Sequence, residues 1–216
     1  ITLIAGSTSS FVGGSVNLIA GESSLSTGGE VQVQSGASSS SKSGQVRVSS
    51  ASSSASSGQV TLSTGDAQNE NSGALLLKTG NAQDGISGDI VVEVGSTQSG
   101  KAGNVNIQAG TTATSGIGGD AVYAAGSATS GNGGSIYIGA GNSDSFAGGD
   151  LELKSGGSSS GTSGSVSLSS GDTTSTGASG SVDVFSGDAS GGISGNLNTF
   201  TGDALQGTSG HIGFKT

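Results

Sequence analysis

The side chains that could do chemistry recur on a fixed spacing. Asp172, Asp188 and Asp203 each follow the glycine that closes a short aliphatic segment, in three consecutive repeats, and Asp66 and Asn81 hold the same place earlier. Carboxylates so arranged are candidates for the acid and base of a hydrolase, or for a ladder of calcium sites. Asp and Asn also favour turns, because their side chains bond nearby backbone N–H groups. A place that recurs along the chain fits that turn role better than one catalytic pair. Gly148-Gly149-Asp150-Leu151 and Gly118-Gly119-Asp120-Ala121 echo parts of a calcium-binding nonapeptide, G-G-x-G-x-D-x-aliphatic-x. The nine-residue period of that motif is missing, and one Asp in about thirty residues is too sparse to enclose an ion.

His211 is the only histidine, so a multi-histidine metal site within the chain is impossible. A Ser-His-Asp triad would have to be built on this residue. With 47 serines in the chain, a serine near it carries no information. Glycine-rich strings abound, but no G-x-x-x-x-G-K-[ST] occurs and no helix follows to hold a phosphate. Gln68, Gln83 and Gln98 recur at fifteen residues, a spacing that suits stacked amides. We therefore assign no catalytic, cofactor-binding or metal-ligating residue and no cofactor, and we expect a chain that is not an enzyme.

The elements behind these positions come from one template. It reads G-x-aliphatic-x-aliphatic-x-small-G, followed by about seven small polar residues. Ile1/Leu3, Val16/Leu18, Val31/Val33 and Val46/Val48 open the series; Ala121/Tyr123 and Ile136/Ile138 sit within it, and Ile212/Phe214 closes it. Fifteen such segments fill the chain. The first glycine of each unit falls at Gly14, Gly29, Gly44, Gly58 and onward to Gly210, at fifteen-residue steps broken by one of fourteen from Gly44 and two of sixteen from Gly103 and Gly164. These variations fall in the polar half, where a loop can absorb them. No linker interrupts the series, so residues 1–216 read as one repeat array. The array starts and stops inside a repeat without a capping unit, which predicts a stretch of a longer array.

Two-residue alternation of β-branched and Leu residues predicts a half-buried strand in each unit. The closing glycine, at Gly6, Gly21, Gly36, Gly65 and Gly80, is expected to turn with positive φ; Ala51 replaces it in the fourteen-residue unit. A helix is excluded by the glycine frequency and the lack of a 3.6-residue pattern. The expected fold is thus all-β, a parallel β-solenoid of about fifteen short strands. We expect thirty residues and two strands per coil, because the three length variants share one parity of unit, as do Glu30, Asp89, Asp120 and Asp150. Fifteen residues per coil is the alternative. It would use Ala67, Ala82, Thr97 and Thr112 as a second inner face.

Composition limits the function. Glycine and serine make up about two-fifths of the 216 residues, and Pro, Cys, Met and Trp are absent. No disulfide or thiol chemistry is therefore available. A formal net charge of −9, from 15 acidic and 6 basic residues, argues against nucleic acid and anionic membrane surfaces. No apolar run approaches the length of a membrane span. Ice binding needs a flat face of regularly repeated Thr, whereas the positions expected to face outward, among them Asn17, Arg47, Leu76, Glu152 and Asp183, share no chemistry. Leu76, Val91, Tyr137, Phe185 and Phe200 are the scattered apolar residues expected outside.

The template resembles the Gly/Ser-rich β-solenoid repeat regions of large extracellular surface, fibre and adhesin-like proteins, and the resemblance spans all 216 residues. It implies a rigid, non-catalytic rod or filament segment at the cell surface or outside the cell. Partners would be further copies of the same repeat, with O-linked glycans on exposed serines, since no N-x-[ST] acceptor occurs. The alternatives are an ice- or carbohydrate-binding solenoid and, behind it, a polysaccharide-degrading β-helix.

Overall fold

The protein is described by a computed structural model that covers residues 1–215. Each repeat contributes one unbent segment and one bend. The bends fall at residues 9–11, 24–26, 39–41 and so on to 205–207, three to six residues after the closing position. Polar, flexible residues concentrate there, which is why the chain changes direction at those points. The length variants are absorbed as the sequence predicts. The fourteen-residue unit shortens its bend to residues 54–55, and the sixteen-residue unit after Gly103 extends its bend to 113–116.

Strand pairing does not follow. No strand and no helix forms among the described residues, so the β-solenoid, with thirty residues per coil or fifteen, is overturned. The cause lies in the apolar pairs. No described residue is buried: Val16 and Leu18, expected inside, are 61% and 73% exposed, while Leu76 and Val91, expected outside, are 70% and 75% exposed. The inside and outside of the predicted strand are thus equivalent. Only two residues in each repeat carry aliphatic bulk, yet pairing requires the whole repeat to be ordered, at about 1–2 kcal/mol per residue. The second inner face expected of Ala67, Ala82, Thr97 and Thr112 is likewise exposed. The thirty-residue alternation is absent from the bends, which occur once in every repeat of either parity.

A different contact provides the local order. The N–H of the opening glycine donates to the carbonyl of the preceding closing glycine, shutting the polar loop between them. Gly14 bonds Gly6 at 2.8 Å, Gly29 bonds Gly21 at 2.8 Å, and Gly44 bonds Gly36 at 2.9 Å. The same clamp joins Gly119 to Gly110, Gly134 to Gly126, Gly149 to Gly141 and Gly164 to Gly156, each at 2.9 Å. Close approach explains the glycine. A Cβ on Gly14 would lie 3.0 Å from the Gly6 nitrogen and 3.2 Å from the Ala5 Cβ. The half-buried residues among those described, Ala5, Ala20, Ser35, Ala109, Ser155 and Ser170, all occupy this small position just before the closing glycine. What little covering the chain achieves therefore lies at the small residues rather than the aliphatic pairs. The positive φ expected at the closing glycines is also not found. Gly100, Gly116, Gly131 and Gly207 have it instead, all in the polar loops.

The chain divides into two units, Ile1–Asn106 and Ile107–Thr216. In the first, the loops from Gly6 to Gly44 are clamped and those from Ala51 to Gly103 are not. In the second, the loops from Gly110 to Gly164 are clamped and the later ones are not. The pattern has a sequence counterpart. Ala5, Ala20 and Ser35 of the first unit are matched 120 residues later by Ala125, Ala140 and Ser155 of the second, and Gly14, Gly29 and Gly44 by Gly134, Gly149 and Gly164.

Candidate functional site

The residues that suggested chemistry lie exposed on the chain. Asp66, Asp172, Asp188 and Asp203 are all exposed, and among the described residues no side-chain hydrogen bond to backbone is formed by these residues or by Asn81. Their turn role is thus not expressed through such bonds. Among the described residues, no group of three or more His, Cys, Asp or Glu is placed to hold a metal ion. His211 is exposed at the end of the second unit. Gln68, Gln83 and Gln98 are exposed, and no side-chain hydrogen bond links them among the described residues. Asp183 accepts a 2.8 Å bond from the Ser181 hydroxyl two residues earlier, a local contact along the same segment. No helix is long and apolar enough to cross a membrane among the described residues.

Hydroxyls carry the order that the carboxylates do not. The residue two places after the closing position is Thr8, Ser23, Ser38, Ser53, Ser143 or Ser158 in six loops. In each, its oxygen accepts one or two backbone N–H groups from the bend ahead, at 2.8–3.4 Å. Thr97, at the same place, instead donates to the Ser99 carbonyl at 2.9 Å. Ser and Thr brace turns in this way because the hydroxyl is short enough to reach the backbone two or three residues on. The signal lies in the sequence as a hydroxyl recurring at one loop position. It is hidden there by the abundance of serine elsewhere.

Two of the braced loops present an aromatic ring. Phe11 donates its N–H to Thr8 Oγ1 at 3.3 Å, and Phe146 donates its N–H to Ser143 Oγ at 3.0 Å. Each Phe lies five residues after a closing glycine, in a clamped loop, and is 88% exposed. Reading the outward segment positions missed both, because the rings lie in the polar half of the repeat.

One concavity is lined by Tyr123, Ile136, Tyr137 and Ile138, with a volume of about 390 Å³. The chain has only two tyrosines, and both line it. They come from successive repeats of the second unit. Tyr137, at an outward position, is 92% exposed and Tyr123, at an inward one, 64%, so the concavity they line is open to solvent. Its lining offers tyrosine rings and aliphatic side chains, which suit an apolar or aromatic group better than a charged one. No protein-family model, no curated protein and no solved structure matches the chain.

Proposed function

We propose that this chain is a non-catalytic structural segment of an extracellular fibre or surface appendage, held together by association with further copies of itself. The observation that carries this reading is the repeated exposure of the aliphatic pairs: Val31 and Val33, Val46 and Val48, Leu151 and Leu153 all remain exposed. The accessible surface is 21,599 Å². A compact monomer of this mass, 20.1 kDa, exposes about 8,700 Å². A stable interface takes about 1,200–2,000 Å² in total, so several can form on each chain. Each aliphatic side chain fully buried between copies contributes about 1.5–3 kcal/mol. Because the pairs recur in the same order on every copy, a second chain can meet them in register along its length. A net charge of −9 keeps single chains soluble and makes their association favour higher salt. Exposed loop serines provide attachment points for O-linked glycans, which fits an extracellular location.

Sedimentation and electron microscopy of the purified chain over rising concentration test the proposal. The expected outcome is a concentration-dependent gain in mass with elongated particles. A mass that stays at one chain throughout overturns the reading.

A further inference from the structure

We infer that Asn132-Gly133 is a site of spontaneous covalent modification, where the asparagine converts through a succinimide to isoaspartate and releases the clamp between Gly134 and Gly126. The inference is independent of the fibre reading. Asn132 is the only one of the ten asparagines that is followed by glycine. Ring closure needs the backbone nitrogen of the next residue to reach the asparagine side-chain carbonyl. Glycine has no Cβ to obstruct that approach. Asn71 and Asn142 are followed by serine, and the others by larger residues or alanine.

The structure leaves both reacting groups free. Asn132 and Gly133 are exposed and lie just after the bend at residues 129–131. Neither the Asn132 side chain nor the Gly133 N–H forms a hydrogen bond among the described residues. Ala128 stands where a hydroxyl braces the loops of Ser143 and Ser158. The clamp from Gly134 to Gly126, at 2.9 Å, is therefore the one hydrogen bond within this loop among the described residues.

The reaction consumes one water and releases one ammonia. The Gly133 nitrogen bonds to Cγ of Asn132, the bond from Cγ to Nδ2 breaks, and the Gly133 amide proton leaves with the departing ammonia. Water then opens the ring. Cleavage at Cγ gives ordinary aspartate. Cleavage at the main-chain carbonyl carbon of residue 132 gives isoaspartate, with the chain running through the side-chain carbon. Isoaspartate adds a methylene to the main chain one residue before Gly134. That displaces the Gly134 N–H from the Gly126 carbonyl, and no brace holds the loop in its place. Either product also adds a negative charge to a chain already at −9.

Ageing the dilute full-length chain in mildly alkaline buffer, with peptide mapping by mass spectrometry, tests the site. Conversion of amide to acid raises the mass of the peptide that holds Asn132. Asp84-Gly85, the single Asp-Gly pair, can close the same ring, but loses and regains water with no net change in mass. The expected result is conversion at Asn132 several-fold faster than at Asn71 or Asn142 in the same sample, and faster again at higher pH. In aged chains, amide-exchange protection at Gly134 should fall by about 2- to 10-fold, matching the loss of one net hydrogen bond, while Gly149 keeps its own. Gly133→Ala is the control. A Cβ there would lie 3.7 Å from the Gly126 carbonyl oxygen, an ordinary contact, so the clamp should stay closed while conversion slows several-fold. Conversion at Asn132 no faster than at Asn71 or Asn142 overturns the inference. So does conversion to isoaspartate that leaves Gly134 protection unchanged.

Discussion

Within the first unit, the loop from Gly21 to Gly29 and the loop from Gly80 to Gly88 have the same length and the same polar character. Only the first is clamped. The difference traces to the residue before the closing glycine, Ala20 in one and Thr79 in the other. A Cβ on Gly29 would lie 3.3 Å from the Ala20 Cβ, so the opening glycine is seated against alanine. At Gly88 the nearest atom is the Thr79 γ-methyl, 3.7 Å from the same point. The rule extends along the chain. Ala5, Ala20, Ala109, Ala125 and Ala140 all precede clamped loops, whereas Thr64, Thr79, Val94 and Thr201 precede open ones. A branched side chain places a methyl where the opening glycine would sit. Val94 shows this most sharply, its γ-methyl lying 2.9 Å from where a Gly103 Cβ would be. Serine falls on both sides, clamped at Ser35 and Ser155 and open at Ser50, Ser170 and Ser186.

The comparison can be broken most strongly at the opening glycine. Gly14→Ala puts a methyl group against the Gly6 backbone, and the clamp is expected to open. A net hydrogen-bond contribution of about 0.5–1.5 kcal/mol corresponds to about a 2- to 10-fold loss of amide-exchange protection at residue 14. Unchanged protection would show that the small residue, and not the glycine, controls the loop. A weaker break is Ala20→Thr, which should release the Gly29 N–H while leaving the Gly44 clamp intact. Equal loss at both sites would mean that the clamps act as one cooperative unit.

The reverse substitution sharpens the rule. Thr79→Ala is expected to slow exchange at Gly88 by less than the break at Gly14 accelerates it, because Ser87 stands where the alanine-clamped loops carry a second glycine. No change in the Gly88 amide would mean that removing the branched side chain is not enough to close the loop. The smallest effect belongs to Ser143→Ala. It removes the brace on the Phe146 N–H, and exchange should rise there but not at Gly149. A rise at both amides would tie brace and clamp into one element.

Much of this organisation can be read from residue order. The fifteen-residue repeat, the placing of its bends in the polar half and the absorption of length changes at residues 54–55 and 113–116 follow from where Gly and Ser cluster. The strand expectation failed because alternation of Val and Leu specifies a half-buried strand only if something buries it. Val16 and Leu18 meet no such layer. The candidate carboxylates were legible as positions, but not as contacts. At Asp66 and Asp188 the residue two places after the closing glycine is Ala67 or Ala189, which lacks the hydroxyl found in the braced loops.

The sequence by itself determined the period, the bends and the identity of the residues able to close each loop, because these depend on short-range sterics and hydrogen bonding. Tertiary structure alone decided that the aliphatic pairs stay exposed, that Tyr123 and Tyr137 share one concavity, and that the rings of Phe11 and Phe146 stay free. Burial depends on which segments meet in space. A repeat that offers the same aliphatic pair along its length does not choose among those meetings.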